Sequence, residues 1–353
     1  MKNKRILVGV LNWGLGHATR CIPIIRELIS LKYQVIIASD GAAFLLLKKE
    51  FPGLLFEELP PYNITYTKQG SLLKWKLLLN TPHILRTIKA EYDLTQNLVE
   101  KHQLTGIISD NRWGVRSELL NKNVFITHQL NVLSGNTTFL SSYIQQQYIK
   151  KFDQCWVPDV ENEPNLSGKL GHVNKESENI KYLGVLSRFK KKEMTITYNY
   201  LVLLSGPEPQ RGILEKLLSK EFKNTESKTL FIRGVFSEEE ICSNNPNLSI
   251  LNYSYGKELE SYINQSEIII ARSGYTTVMD LSKLEKKAFF IPTPGQEEQE
   301  YLAERLKNNG ITPCCDQKDF RISKLKEVEN YKGLSNFGNN PVLRDRLAFF
   351  QGK

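Results

Sequence analysis

Short apolar runs alternate along this chain with longer segments in which apolar and polar positions mix. Arg5–Leu11, Val35–Ala38, Leu54–Leu59, Gly106–Asp110, Val124–Thr127 and Cys155–Val157 have the length and character of buried strands. Between them, Pro23–Leu31 sets Ile24, Ile25, Leu28 and Ile29 on one helical side, and Ala42–Lys49 is a second helical segment. Strands separated by helices predict a mostly parallel sheet covered on both faces. Gly168–Glu178 is polar and glycine-containing and suits a mobile loop. The alternation then restarts. Tyr200–Leu204, Thr229–Ile232, Leu248–Asn252, Glu267–Ile270 and Ala288–Ile291 are strand-like, with helical patterns at Ile213–Leu218, after Gly274, and at Tyr301–Asn308. The repeat predicts two α/β domains in tandem, over residues 1–185 and 186–335, with a terminal segment 336–353. The 353-residue length agrees with two domains.

One stretch departs from this rhythm. Between Tyr66 and His102, Leu72, Leu73, Trp75, Leu77, Leu78 and Leu79 are interleaved with Lys68, Lys74 and Lys76, and Arg86 and Lys89 follow. On a helix this makes a wide apolar face flanked by positive charge. It suits an anionic membrane surface, or an excursion helix packed on its own domain.

Composition narrows the class. Apolar residues make up 41% of the chain, enough for packed cores, and no apolar run reaches the length of a membrane span. The first apolar run ends at Asn12 without a small-residue cleavage site and reads as a core strand, not a secretory signal. Five cysteines without ligand-like spacing fit a reducing compartment. The formal charge of +9 favours anionic partners. Without a zinc-knuckle spacing, an aromatic-basic signature or a long basic block, nucleic acid is the weaker choice.

Candidate chemistry gathers at the carboxyl ends of the strands, where sheets of this kind bind ligands. The first strand runs into Asn12-Trp13-Gly14-Leu15-Gly16-His17, a glycine turn feeding a helix. Gly14 and Gly16 let backbone N–H groups approach an anion, and His17 can take or give a proton near neutrality. A histidine that merely hydrogen-bonds the turn is the plainer alternative. The turn lacks the third glycine of a dinucleotide fingerprint, since Thr19 stands there, so Asp40 after the second strand does not make a nicotinamide site. Asp110 ends its own strand; it can orient His17, bind hydroxyls or act as base. In the second half, Ser205-Gly206-Pro207 and Ala271-Arg272-Ser273-Gly274 are strand-to-helix turns suited to phosphate, with Thr276 following and Asp280 two turns on, where a carboxylate can take both ribose hydroxyls. Gln296, Glu298 and Gln299 supply amide and carboxylate groups after the next strand. No Asp-x-Asp or Gly-Lys-Ser/Thr occurs. Helix N-termini and an arginine such as Arg188 would then carry phosphate charge, with no metal and no cofactor required.

These motifs resemble those of GT-B-fold glycosyltransferases close to family 28. The Asn12–His17 turn is similar to that family's glycine loop ending in histidine. Thr127-His128-Gln129-Leu130-Asn131 resembles its His-Glu-Gln-Asn stretch, and Tyr182–Arg188 its Gly-Asn-Pro-Val-Arg stretch, with the arginine kept. Ser273–Asp280 and Gln296–Gln299 resemble its nucleotide-sugar site, with Asp280 in the place of a ribose-binding glutamate and Gln299 on the glutamine that reaches the sugar. The resemblance covers roughly residues 4–320. It implies two Rossmann-like α/β/α domains facing each other across a cleft, with a last helix, Pro341–Phe350, crossing back on Leu343, Leu347 and Phe349. It also implies an inverting transfer of a sugar, UDP-activated by preference, to a hydroxyl of a polysaccharide or lipid-linked acceptor. His17 or Asp110 would serve as base; Asn12, Trp13, Arg112, His128 and Asn131 would lie on the acceptor side. Location would be cytoplasmic, with peripheral placement on the inner face of the cytoplasmic membrane, through residues 66–102, as the alternative. A nucleotide-sugar epimerase of the same fold and a non-catalytic nucleotide-sugar-binding module are the alternatives.

Overall fold

The computed structural model describes residues 4–63, 81–173, 178–237, 239, 241–335, 337 and 342–351. These residues form two units. One comprises residues up to 188 together with the C-terminal segment from 338; the other spans 189–337. The basic, leucine-rich positions from Lys68 to Leu79 lie outside the described residues.

The first unit is built on a seven-stranded, all-parallel sheet. Its strands are β1 (Arg5–Val10), β2 (Gln34–Ser39), β3 (Leu55–Glu58), β4 (Gly106–Asp110), β5 (Asn123–Ile126), β6 (Gln154–Val157) and β7 (Ile180–Tyr182), in the order β3-β2-β1-β4-β5-β6-β7. The order reverses between β1 and β4, whose carboxyl ends diverge and leave a crevice. Helices α1 (Leu15–Ser30), α2 (Gly41–Glu50), α3 (Thr81–His102) and α4 (Thr138–Ile149) belong to this unit. Nearly every strand residue of β1, β2, β4 and β5 is buried, as parallel strands covered on both faces require. The described part of the Tyr66–His102 excursion, α3, packs Ile88, Leu98 and Val99 inward like an ordinary amphipathic helix.

The second unit repeats the plan with five parallel strands: β8 (Tyr198–Leu203), β9 (Thr229–Ile232), β10 (Leu248–Leu251), β11 (Ser266–Ala271) and β12 (Lys287–Phe290), ordered β10-β9-β8-β11-β12. Its helices are α5 (Gln210–Phe222), α6 (Gly256–Asn264), α7 (Tyr275–Lys283) and α8 (Glu297–Asn308). Its core is a continuous cluster that includes Val202, Leu214, Phe222, Phe231, Ile270, Phe289 and Phe320. Here the switch point falls between β8 and β11, beside the Ser205–Gly206 and Ser273–Gly274 turns.

The chain ends in a helix, α9 (Val342–Leu347), and one 3-10 turn that belong to the first unit. The anchors differ from the expected set. Leu347 and Phe350 are buried, whereas Leu343 and Phe349 are half-buried. Phe350 stands edge-on to Trp156 at 5.9 Å, and Lys4 Nζ donates to the Phe350 carbonyl at 3.0 Å. The segment expected to be a mobile loop is held along its described part. The Gly168 N–H donates to Asn165 Oδ1 at 2.8 Å, and Gly168 and Leu170 are buried.

Helix α4 was not readable from apolar spacing because its polarity is inverted. Ser142 and Gln145 face inward, while Phe139 is 86% exposed and Leu140, Tyr143 and Ile144 also face out. Gln145 is drawn in because its amide oxygen accepts from Trp113 Nε1 at 2.8 Å. The loop after β4 is equally tight on its other side. A Cβ at Gly114 would lie 2.2 Å from the Ile88 carbonyl oxygen and 2.6 Å from Glu91 Cβ. Backbone cannot yield cheaply, so Gly114→Ala is expected to destabilise the first unit by about 1–3 kcal/mol. Urea unfolding would measure this, and an unchanged midpoint would contradict the packing described.

Candidate active site

In the first unit, α1 begins directly after a turn at Gly14. Gly14 has φ of +81°, in the left-handed region that other residues enter at a cost. No side chain caps the helix and its first turn carries no acidic residue. The early N–H groups therefore keep unmet donor capacity and the positive end of the helix dipole. His17 lies in this first turn, and Asp110 ends β4 across the switch-point crevice. Asn111, at φ +52°, turns the chain sharply after it.

His17 Nδ1 and Asp110 Oδ1 are 2.6 Å apart. Arg20, one helical turn beyond His17, grips the same carboxylate through Nε to Oδ2 at 2.5 Å and Nη2 to Oδ1 at 2.6 Å. Its other terminal nitrogen, Nη1, donates to His128 Nδ1 at 2.9 Å. The Cys21 thiol donates to Asp110 Oδ2 at 3.4 Å. Asp110 is fully buried and the Arg20 side chain 1% exposed, whereas His17 keeps 14% of its surface. Burial opposes charge on Asp110, but Arg20 and His17 outweigh it and hold the carboxyl well below its ordinary range. Burial, then Arg20, lower the His17 pKa below 6.5 against the pull of Asp110. Burial and the neighbouring carboxylate push the Cys21 thiol up, so it stays protonated.

Chemistry fixes the proton on this dyad. An ionised carboxylate only accepts, so at 2.6 Å the hydrogen is on His17 Nδ1, and Nε2 carries the lone pair. A neutral imidazole with a basic Nε2, oriented by a buried carboxylate, can take a proton from a hydroxyl. Both oxygens of Asp110 are engaged and its charge is stabilised, which suits it to orienting His17 and not to proton uptake.

Other acceptor-side candidates have structural duties. Arg112 is completely buried. Its guanidinium binds the Val10 carbonyl at 2.8 Å, Glu91 at 2.7 Å and Asp40. Burial lowers its pKa to about 9, which leaves it charged at neutral pH. Asp40 is taken by this ion pair and by Asn12 Nδ2, which donates to it at 3.0 Å. Trp13 packs with Leu11, Tyr62 and Ile88. Asn131 secures the Lys169 carbonyl at 2.6 Å. Of that group, His128 joins the His17–Asp110 cluster through Arg20.

In the second unit, Gly206 has φ of +99° in the exposed turn after β8. Helix α7 starts at an uncapped Gly274 with no acidic residue in its first turn, and Thr276 is half-buried there. That N-terminus suits an anion. Helix α8 does not, because Glu297, Glu298 and Glu300 crowd its first turn. Ser273, expected to approach phosphate, is buried and donates to the Gln299 carbonyl at 2.7 Å. Gln299 spans its own loop, accepting from Thr293 N–H at 2.9 Å and donating to Gln296 Oε1 at 2.6 Å. Asp280 is 8% exposed. Arg188 closes the first unit, its carbonyl held by Arg26 Nη1 at 3.2 Å.

Sequence reading missed Arg20 and Arg272. Arg272 Nη1 binds the Ile291 and Pro292 carbonyls at 3.0 and 2.9 Å, and Nη2 binds the Gln210 carbonyl at 3.1 Å and Gln317 Oε1 at 2.6 Å. It ties the turns after β8, β11 and β12 together.

Residues 201–330 match the glycosyltransferase family 28 C-terminal domain. A Haemophilus ducreyi protein named UDP-N-acetylglucosamine--N-acetylmuramyl-(pentapeptide) pyrophosphoryl-undecaprenol N-acetylglucosamine transferase is 21% identical over 346 residues, 92% of this chain and 89% of its own. The chain is a GT-B-fold glycosyltransferase related to family 28. A Sulfurihydrogenibium transferase of the same name matches over 130 residues at 25% identity, only 36% of each chain. An uncharacterised glycosyltransferase of Methanosarcina acetivorans is 22% identical over 87% of this chain and 84% of its own. Among solved structures, the glycosyltransferase of kitacinnamycin superposes with a TM-score of 0.65 at 13% identity, covering 99% of this chain and 95% of that one. MurG of Acinetobacter baumannii gives 0.56 at 12% identity, over 99% and 95%. Among the described residues, no helix of this glycosyltransferase is long and apolar enough to cross a membrane.

Proposed function

We propose that this glycosyltransferase inverts the anomeric centre, moving a sugar from a nucleotide-sugar, UDP-activated by preference, to a hydroxyl of a lipid-linked or polysaccharide acceptor. The observation that carries the reading is the His17–Asp110 contact of 2.6 Å at the first unit's switch point. His17 Nε2 takes the acceptor hydroxyl's proton as that oxygen forms its bond to the anomeric carbon. The bond from that carbon to the diphosphate breaks on the opposite face, and the diphosphate leaves with the electron pair. The first unit holds the acceptor. The second holds the donor, with its diphosphate against the α7 N-terminus, so that main-chain dipoles, not a metal, meet the charge. The names of the Haemophilus and Sulfurihydrogenibium relatives support a UDP-sugar and a lipid-linked acceptor.

The test is a panel of uridine, guanosine and thymidine diphosphate sugars read by thermal unfolding. A donor at about 100 times its Kd stabilises the unit that binds it by about 2.7 kcal/mol, so melting should rise by several degrees for the uridine sugar. No shift with any donor would remove the donor assignment. With the donor known, acceptor-dependent release of nucleoside diphosphate marks a transferase. Interconversion of nucleotide-sugars without an acceptor marks an epimerase, and a shift without product marks a binding module.

A further inference from the structure

Arg20 is an unusual presence for this site: a guanidinium in a helix interior, 2% exposed, with carboxylate and imidazole on its donors. A buried arginine is retained only where its donors are met. Here they are met by the groups that would perform the chemistry. Two of its nitrogens bind Asp110 through both oxygens, and the third nitrogen reaches His128. Arginine cannot accept a hydrogen bond, so His128 Nδ1 must be the acceptor, and a neutral His128 carries its proton on Nε2. On the other side, Arg20 Nη2 comes within 2.9 Å of His17 Nδ1, both donors converging on Asp110 Oδ1.

We propose that Arg20 is a positioning residue for proton transfer, one guanidinium that fixes Asp110 and sets His17 and His128 in opposite tautomers. This rests on the reading of His17 as proton acceptor. With Arg20 in place, the Asp110 charge is answered by a permanent cation. His17 then needs no proton of its own, and Nε2 stays open. Without it, His17 would be left as the titratable cation in direct contact with the buried carboxylate, and the two would hold a proton between them. Among the described residues, the charged and titratable groups around His17 and its carboxylate are Asp110 from β4, Arg20 and Cys21 from α1, and His128 from the turn after β5. Cys21 is held as a neutral thiol. Nothing in that set besides Arg20 supplies a fixed positive charge.

The experiment has two arms. In the intact protein at pH 7.5 (a working value of about one unit above an ordinary histidine), 15N–1H spectra of the imidazoles should show His17 with the proton on Nδ1 and His128 with it on Nε2. Identical tautomers, or a charged His17, would overturn the proposal. In the second arm, Arg20→Gln should move the acid limb of the kcat/KM profile to higher pH, so that the ratio of activity at high to low pH rises roughly tenfold. Arg20→Lys, which keeps the charge but not the two-pronged grip, should leave the limb in place and lower kcat. An unmoved limb in Arg20→Gln, or Arg20→Lys with parental kcat, would reduce Arg20 to packing and sink the idea. If His17→Ala retains full turnover, the base assignment fails instead, which is a separate outcome.

Discussion

His17→Ala is expected to lower kcat by about 10²–10⁴-fold, the range that a positioned general base contributes. Donor-induced thermal stabilisation should persist, because the groups proposed to hold the donor lie in the second unit. The pH dependence should change as well. Burial and Arg20 hold the His17 pKa below 6.5, so the unprotonated form prevails at neutral pH. The parent enzyme should therefore lose kcat/KM only on the acid side of that value, as His17 takes up a proton. The residual activity of His17→Ala should lack that limb. Initial rates across pH with saturating donor would read both effects. Turnover equal to the parent would exclude His17 as base and point to a group outside this cluster.

Much of the fold was legible because parallel strands buried on both faces leave apolar runs that polar helical segments punctuate. The His17–Asp110 pair was partly legible for the same reason, since Asp110 ends a strand and His17 opens the helix after one, both at a switch point. What was not legible was burial of charge. Arg20 looks like a surface residue of an amphipathic helix, and only its i, i+3 spacing from His17 hints that it shares that histidine's face. Arg112 sits in a charged, aromatic loop that reads as solvent-facing, yet it anchors Asp40 and Glu91 inside the first unit. Such knots join residues 21 to 108 positions apart, a separation that spacing rules do not reach. Helix α4 escaped for a related reason. Its inward face is polar because Trp113 and the turn after β5 need partners, so apolar periodicity pointed nowhere. The bonds of Ser273 and Gln299 to backbone groups of the neighbouring loop were likewise not legible from residue type or motif.

Asp110→Asn should be the most damaging single change to the site, because it alters stability and tautomer together. Asparagine matches the shape of aspartate but carries no charge, leaving the Arg20 guanidinium buried without a counter-ion. Breaking one side of a buried pair costs about 3–5 kcal/mol, and the first unit should unfold at correspondingly lower urea. The gap to the parent has a definite pH dependence. Burial opposes the Asp110 charge, but Arg20 and His17 hold its folded pKa below the ordinary 3.8, so its contribution is complete above that value. It is lost only as pH falls through the folded pKa, and the two proteins should converge in stability toward strong acid. At neutral pH the catalytic loss has a separate cause. Arg20 donates to both oxygen positions, so the asparagine must turn its NH2 to one of them; with its oxygen kept on Arg20 Nε and the Cys21 thiol, that NH2 faces His17. Nδ1 must then accept, the ring proton moves to Nε2, and the lone pair that would take the acceptor's proton is gone. A kcat loss of about 10²–10⁴-fold should follow even in the folded fraction. Replacing both residues, as Asp110→Asn with Arg20→Gln, removes the stranded charge and should recover part of the stability with none of the turnover. Recovery of turnover in the double variant would show that the carboxylate's role is to balance Arg20 and not to orient His17.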